Sequence, residues 1–436
     1  MKEQPDKNLP KRKLTRREVL RGAAAAATAP YVLTGGALGA AGLAPASDRL
    51  AVACVGVRNK GGGHLKRLLA NGDVQVVAVC DVDRAIRRRA ANRVAGAYAN
   101  RRRAAQQAQP AATDDYREIA CLRDIDAVVI ATPDHTHAVI AMEMLRGRRN
   151  VYIEKPIALT IGEGRAIADA AASSKLVVQV GCQKRSNSRY RLARDLVRQG
   201  AIGRLVSIET RIPRRATVPT GWSPTPTPAG FDYEKWLGPA PLAPYTPARC
   251  HYNWRFIRDY SGGELAGPAS HNLDLAQWVI GADNGGPVTV EGSGEYYRTG
   301  LYDTFYRVDV QWTYANGVRL TCRSAPSAAT RFTGTDGWLD ADTLRASSPA
   351  ILSAGKKGLV GPSHMRSFLA AVRAGRPEDV SVNAETGHRS ATVCHLGEIA
   401  MRLGRRLQWD PARECFPSDD EAQNMTRRPY RQPWTL

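Results

Sequence analysis

Leu50-Ala51-Val52-Ala53-Cys54-Val55-Gly56-Val57-Arg58-Asn59-Lys60-Gly61-Gly62-Gly63 decides the fold. The first six residues have the apolar run of a buried strand, the glycines a tight turn, and His64-Leu65 the beginning of a helix. Strand, glycine turn and helix in that order let the backbone approach a pyrophosphate, whose charge the amides at the helix start stabilise. Gly56, Arg58, Asn59, Lys60 and Gly61 are therefore candidate cofactor contacts. Arg58 stands where the middle glycine of G-x-G-x-x-G is usual, and its guanidinium can itself reach a phosphate.

The pattern repeats twice. Residues 74–80 read as a second strand ending at Asp81, whose carboxylate suits the adenosine ribose hydroxyls and disfavours a 2′-phosphate. NAD is thus favoured over NADP, with Arg84, Arg87 and Arg88 close behind as the groups that would reverse the choice. Residues 127–131 read as a third strand, leading through Thr132-Pro133-Asp134-His135-Thr136-His137 into a helix over 138–145. Three strand-loop-helix units in succession predict a doubly wound parallel α/β sheet of the Rossmann kind.

Val151-Tyr152-Ile153-Glu154-Lys155-Pro156 ends a further strand by presenting a lysine at the carboxyl edge of that sheet. An ammonium group there can bond a hydroxyl or carbonyl oxygen and stabilise alkoxide charge as a hydride leaves or arrives. Taken alone, Glu154 and Lys155 fit an ordinary solvated ion pair after an edge strand better, and only the surrounding motifs reverse that.

The Gly56–Gly63 turn, Asp81, Thr132-Pro133 with His135 and His137, Glu154-Lys155-Pro156, Gly181-Cys182-Gln183-Lys184-Arg185 and His271-Asn272-Leu273-Asp274 together resemble the Gfo/Idh/MocA oxidoreductases over roughly residues 48–410. The resemblance implies a dinucleotide-binding Rossmann domain followed by an α+β domain with an open, mostly antiparallel sheet that mediates homo-oligomerisation. It adds Thr132, Pro133, His135, His137, Glu154, Lys155 and Gln183 to the expected cofactor contacts. It also makes Lys155 the contact to the reacting oxygen and His271 the general acid/base. Imidazole suits that role because its pKa lies near neutrality. Many members carry an aspartate four residues before this histidine, where this chain has Gly267. Either His271 works alone with Lys155, or Glu264 or another residue substitutes, or the reaction differs from simple dehydrogenation. Arg185, Asn187 and Tyr190 offer groups suited to a polyhydroxylated ligand, and Asp274 either orients His271 or begins the helix electrostatics.

The expected organisation is a leader over 1–46, the Rossmann domain over 47–176, the α+β domain over 177–410 and a tail over 411–436. Strands are expected at 205–211, 288–292, 304–313 and 318–322, and helices at 363–374 and 385–402. The stretch between Pro213 and His251, dense in Pro, Thr and Trp, is expected to be an irregular excursion that either roofs the substrate pocket or packs on a neighbouring subunit. Arg16-Arg17 followed by an alanine-rich stretch resembles a twin-arginine export signal, which implies passage through that machinery to the periplasm or exterior. No stable membrane span is expected once the leader is gone.

The chain of 436 residues carries a formal charge of +21, of which the leader contributes a net five. No zinc-finger or aromatic RNA-binding signature accompanies the arginines of 84–103, so nucleic acid is not expected as a partner. The eight cysteines form no Cys-x-x-Cys pair, and neither a disulfide framework nor a metal site is expected. The leading functional reading is an exported NAD(P)-dependent oxidoreductase acting on a carbohydrate, with a tightly held nicotinamide cofactor. Alternatives are a redox-neutral NAD-dependent glycosidase or lyase and a non-catalytic carbohydrate-binding protein.

Overall fold

The computed structural model describes residues 48–99, 109–213, 221–353 and 363–436; the leader lies outside the described residues. Six parallel strands form the first sheet: β1 (Leu50–Val55), β2 (Val74–Cys80), β3 (Ala111–Thr113), β4 (Ala127–Ile130), β5 (Asn150–Ile153) and β6 (Val178–Val180). Their spatial order is β3-β2-β1-β4-β5-β6. All four residues of β4 are buried, as strands covered by helices on both faces require. The order reverses between β1 and β4, and the crevice where ligands bind such sheets opens at their carboxyl ends.

The second sheet has eight strands: β7 (Leu205–Pro213), β8 (Thr289–Tyr296), β9 (Phe305–Thr313), β10 (Arg319–Ala325), β11 (Ala329–Gly334), β12 (Trp338–Asp340), β13 (Arg345–Ala346) and β14 (Leu407–Gln408). Their order is β13-β12-β11-β7-β10-β9-β8-β14, antiparallel except where β7 meets β10. Alternation along β9 sends Val308, Val310 and Trp312 inward and Arg307 and Asp309 outward. The inward set packs with Leu265, Leu273 and Ala276, around and on the helix Ser270–Ile280, and with Leu396 and Ala400 of the helix Ala384–Leu403. The helix His364–Ala374 instead packs Met365, Phe368 and Leu369 against the first sheet. Residues far along the chain thus complete the core of the nucleotide-binding half.

The excursion is not wholly irregular. Its aromatic side chains make a small core of their own, in which Trp236 of the short helix Tyr233–Leu237 meets Tyr260, and Phe231 meets Tyr245. It is also pinned to the first sheet. The Arg84 amide donates to the Gly230 carbonyl and the Asp232 amide to that of Val82, at 2.8 and 3.1 Å. The tail folds over both: Arg428 bonds Glu163 and the His135 carbonyl, and Arg431 bonds the carbonyls of Gly238 and Ala240.

Candidate active site

A cavity of about 460 Å³ lies across the carboxyl ends of β1, β2, β4 and β5. The glycine turn and the loops after β2, β4 and β5 form one wall. The other is built from Phe231, Trp236, His251, Trp254, Arg255, His271 and Trp434. The excursion therefore roofs the cavity, the first of its two expected roles.

At the nucleotide end, Gly56 has φ +77°, and a Cβ there would stand 2.8 Å from the Ala131 backbone and 2.9 Å from Thr132 Cγ2. At Gly61 a Cβ would reach 1.8 Å from the Gly56 carbonyl oxygen. Only hydrogen atoms fit between the turn and β4, so the two loops close into a cradle. Arg58 precedes the helix Asn59–Leu69 and no side chain caps it, which leaves the helix start to a bound anion. Arg58, Asn59, Lys60, Asp81, Thr132 and Pro133 all line the cavity.

The Asp81 carboxylate accepts the amides of Val57 and Asp83, each at 3.0 Å. Burial raises its pKa, and those two bonds work against the rise. Arg84, Arg87 and Arg88 do not line the cavity, and Arg87 is drawn aside to Asp114 at 3.2 Å. Nothing from this trio faces a 2′-phosphate, in keeping with NAD. Asp81→Ala is expected to weaken NADH binding about ten- to a hundredfold, the loss of a charge-assisted hydrogen bond. Fluorescence titration of nucleotide-stripped protein measures it.

At the reacting end, Glu154 and Lys155 follow β5. The Glu154 carboxylate accepts from His64 Nε2 and Gln183 Nε2, both at 2.7 Å, with Lys60 Nζ at 3.7 Å. Burial pulls its pKa up, but His64 and the neighbouring cations outweigh burial and leave it at about 2. Lys155 Nζ donates to the Gly267 carbonyl, so a backbone oxygen holds the ammonium at the residue that departs from the aspartate of the resemblance. Burial lowers the Lys155 pKa, opposed by the carboxylates of Asp134 and Glu154. His271 begins the last wall, and its Nδ1 is buried with no partner among the described residues. Burial first, and then the Lys155 ammonium, depress its pKa to about 3, so the ring is neutral at physiological pH.

Several expected site residues lie elsewhere. His135 is fully buried against Trp236 and Tyr260, and its Nε2 donates to the Trp236 carbonyl at 2.9 Å. His137 reaches the cavity wall, but both its nitrogens face carbonyl oxygens, of Pro156 and Thr132, so it ties two loops together. Gln183 stands behind Glu154 and Tyr152, outside the cavity. Arg185, in the turn after β6, and Asp274, on the helix Ser270–Ile280, clasp each other, with guanidinium-to-carboxylate distances of 2.7 to 3.0 Å. Asn187 is exposed and caps the helix Ser188–Arg198, while the Tyr190 hydroxyl donates to Asp342 at 2.7 Å. None of Arg185, Asn187, Tyr190 and Asp274 lines the cavity.

Asp134 and Arg255 had no expected role, yet both face the cavity next to Lys155. Asp134 lies in the quoted loop after β4, and a carboxylate at the end of an inner strand was the available signal. Arg255 and Trp434 carried none, being placed by long-range packing.

Residues 50–182 match the family model described as an oxidoreductase family with NAD-binding Rossmann fold, and residues 217–436 that of its C-terminal alpha/beta domain. Levoglucosan dehydrogenase of Pseudarthrobacter phenanthrenivorans is 32% identical over 170 residues, 39% of this chain and 36% of that protein. A glycosyl hydrolase family 109 protein of a Shewanella species is 30% identical over 174 residues, 38% of this chain and 35% of that protein. The scyllo-inositol 2-dehydrogenase (NAD(+)) of Bacillus subtilis is 25% identical over 239 residues, 53% of this chain and 59% of that protein. The matched stretches thus span from about a third to three-fifths of these relatives' lengths. Among solved structures, GenD2 from gentamicin A biosynthesis in complex with NAD superposes with a TM-score of 0.61 at 21% identity, covering 83% of this chain and 97% of that one. Levoglucosan dehydrogenase in complex with NADH and L-sorbose superposes with 0.61 at 19%, covering 83% and 99%. The cradle, the cavity-lining Asp81 and two family models that between them take in most of the described chain lead to one conclusion: the protein belongs to the Gfo/Idh/MocA oxidoreductase family.

Proposed function

We propose that the protein is an NAD-dependent dehydrogenase acting on a hydroxyl of a sugar or sugar derivative, with Lys155 and His271 at the reacting atoms. The observation that carries this reading is that the Lys155 ammonium and the neutral His271 ring both line the cavity that begins at the glycine cradle. Gly56, Gly61, the start of the helix Asn59–Leu69 and Asp81 would hold the dinucleotide, which when bound supplies a hydride acceptor or donor at its nicotinamide. Lys155 bonds the substrate oxygen and stabilises the negative charge that develops there. The His271 ring accepts the hydroxyl proton and returns it in the reverse direction. The aromatic roof of Phe231, Trp236 and Trp434 supports tight retention of the cofactor between turnovers. Oxidation of one carbohydrate and reduction of another would then alternate on the same bound molecule.

Acid denaturation of purified protein, followed by mass spectrometry, is expected to release a stoichiometric nicotinamide dinucleotide. A panel of mono- and disaccharides should change its absorbance at 340 nm before denaturation. Nucleotide-free preparations would defeat tight retention, and failure of every sugar to change the absorbance of loaded protein would defeat the dehydrogenase reading.

The similarity to a glycosyl hydrolase family 109 protein favours one second reading, a redox-neutral cleavage in which the hydride returns to the product. Exchange of the proton next to the reacting carbon with solvent deuterium, without net change in cofactor redox state, distinguishes it. The Arg16-Arg17 leader supports export by the twin-arginine route, and cell fractionation of the full chain tests that. Homo-oligomerisation through the open sheet is checked by light scattering.

A further inference from the structure

Two cations meet at one glycine. Gly267 lies in the π-helical turn Leu265–Ala269 that leads into the helix Ser270–Ile280, and its carbonyl oxygen accepts the hydrogen bond of Lys155 Nζ. Arg255, on the short 3₁₀ helix Asn253–Phe256, reaches the same residue: apart from its own turn of chain, a Cβ at Gly267 would meet only Arg255 Nη2, at 3.5 Å. The glycine therefore leaves open the space of one side chain, bounded by a guanidinium and next to an ammonium. Gly267, Arg255 and Lys155 all face the cavity.

Neither cation has a carboxylate partner among the described residues. Arg255 is half-buried and makes no hydrogen bond or ion pair there; its guanidinium lies over the Tyr252 ring, 5.0 Å from the centroid. Arg185 and Arg428, by contrast, each hold a buried carboxylate at 2.7 Å. Glu154, the neighbour of Lys155 in sequence, is turned to His64, Gln183 and Lys60. Asp134 lines the same cavity, but no ion pair joins it to either cation, and burial raises its pKa to about 7, so at neutral pH it supplies less than a full opposing charge. The phosphates of a dinucleotide belong with the glycine turn and Arg58. Two cations withdrawn from water and lacking a counter-ion leave the opposing charge to the other occupant of the cavity.

We propose that the substrate is a sugar acid whose carboxylate is bound by Arg255 in the space that Gly267 leaves, while Lys155 holds the reacting oxygen. The role of the reacting oxygen rests on the dehydrogenase reading; the carboxylate site does not. A guanidinium offers two parallel N–H bonds to a flat carboxylate, and a gap the size of one side chain suits that group better than the bulkier phosphate.

The test is calorimetric titration of the full chain loaded with NADH, which cannot oxidise a hydroxyl, using D-glucuronate and D-galacturonate, each beside its neutral methyl ester. At least one acid is expected to bind about ten- to a hundredfold more tightly than its ester, the contribution of a charge-assisted bidentate pair. Arg255→Gln, which removes the fork, and Gly267→Asp, which sets a resident carboxylate against it, should each bring that ratio close to one. Thermal melting and dinucleotide content identify the folded variants. A ratio close to one for both sugars in the wild type, or a wild-type ratio in either folded variant, would overturn the proposal. So would glucose 6-phosphate binding more tightly than glucose when neither acid outbinds its ester. Acid-selective binding with no change at 340 nm in NAD-loaded protein would uphold the site and reject the dehydrogenase reading. Oxidation of sugars with acids and esters bound alike would do the reverse.

Discussion

Lys155→Ala is expected to lower kcat/KM by about a thousandfold, with the bound dinucleotide retained. The size follows from the surroundings of the ammonium. It is buried, so its charge acts on a developing alkoxide through protein rather than water, where each charge-assisted bond counts for more. Its hydrogen bond to Gly267 fixes it before substrate arrives, so no reorganisation accompanies the reaction. Folding should survive the substitution, because Asp134 still faces Arg255 and the Gly267 carbonyl still accepts from the Ser270 hydroxyl at 2.8 Å. Steady-state kinetics with nucleotide content measured on the same sample checks both halves. A loss under about tenfold would remove Lys155 from the reacting atoms. His271→Ala should cost less, since the oxygen keeps its ammonium. In the wild type the lowered Lys155 pKa means that activity declines on the alkaline side before the range of a solvated lysine is reached.

Arg185→Ala is expected to destabilise the fold by about 3–5 kcal/mol while leaving KM of the surviving enzyme near wild type. Asp274 is completely buried and its carboxylate takes three of the four close contacts made by Arg185, while Asp283 takes the fourth at 2.8 Å. Removing the guanidinium leaves Asp274 with the Ser390 hydroxyl at 2.8 Å and no counter-charge. The pair joins the turn after β6 to the helix Ser270–Ile280 that carries His271, so its loss should loosen the seam between the two domains. Replacing both partners together with leucine should be milder than either change alone, because no charge is then stranded. Urea denaturation of the three variants measures this. A stable Arg185→Ala enzyme with a strongly raised KM would return Arg185 to the substrate pocket.

Local pattern carried the nucleotide-binding half well. Its strands are continuous apolar runs, its turns are glycine, and each unit is read within about thirty residues. Glu154 and Lys155 were legible because a strand end fixes where its next residues point. Arg185 and Asp274 were not. Polar residues close to a motif look like ligand contacts until their partners are known, and these partners are eighty-nine positions apart. Asn187 did carry a readable signal, since an asparagine ahead of a helical run is a common cap. The roof was legible only as one of two roles, and its internal order escaped because its aromatic residues are ordered by each other rather than by periodicity. Asp134 stood in plain view, but only the fold shows that it lines the same cavity as Lys155 and Arg255.

The wall contributed by Trp434 comes from the far end of the polypeptide relative to Gly56, whose turn it faces across the same cavity. During synthesis the parallel sheet can assemble while hundreds of residues are still to be translated, but its nucleotide crevice stays open on one flank until that indole arrives. Under the retention proposed above, nascent chains halted before residue 428 are expected to exchange dinucleotide freely.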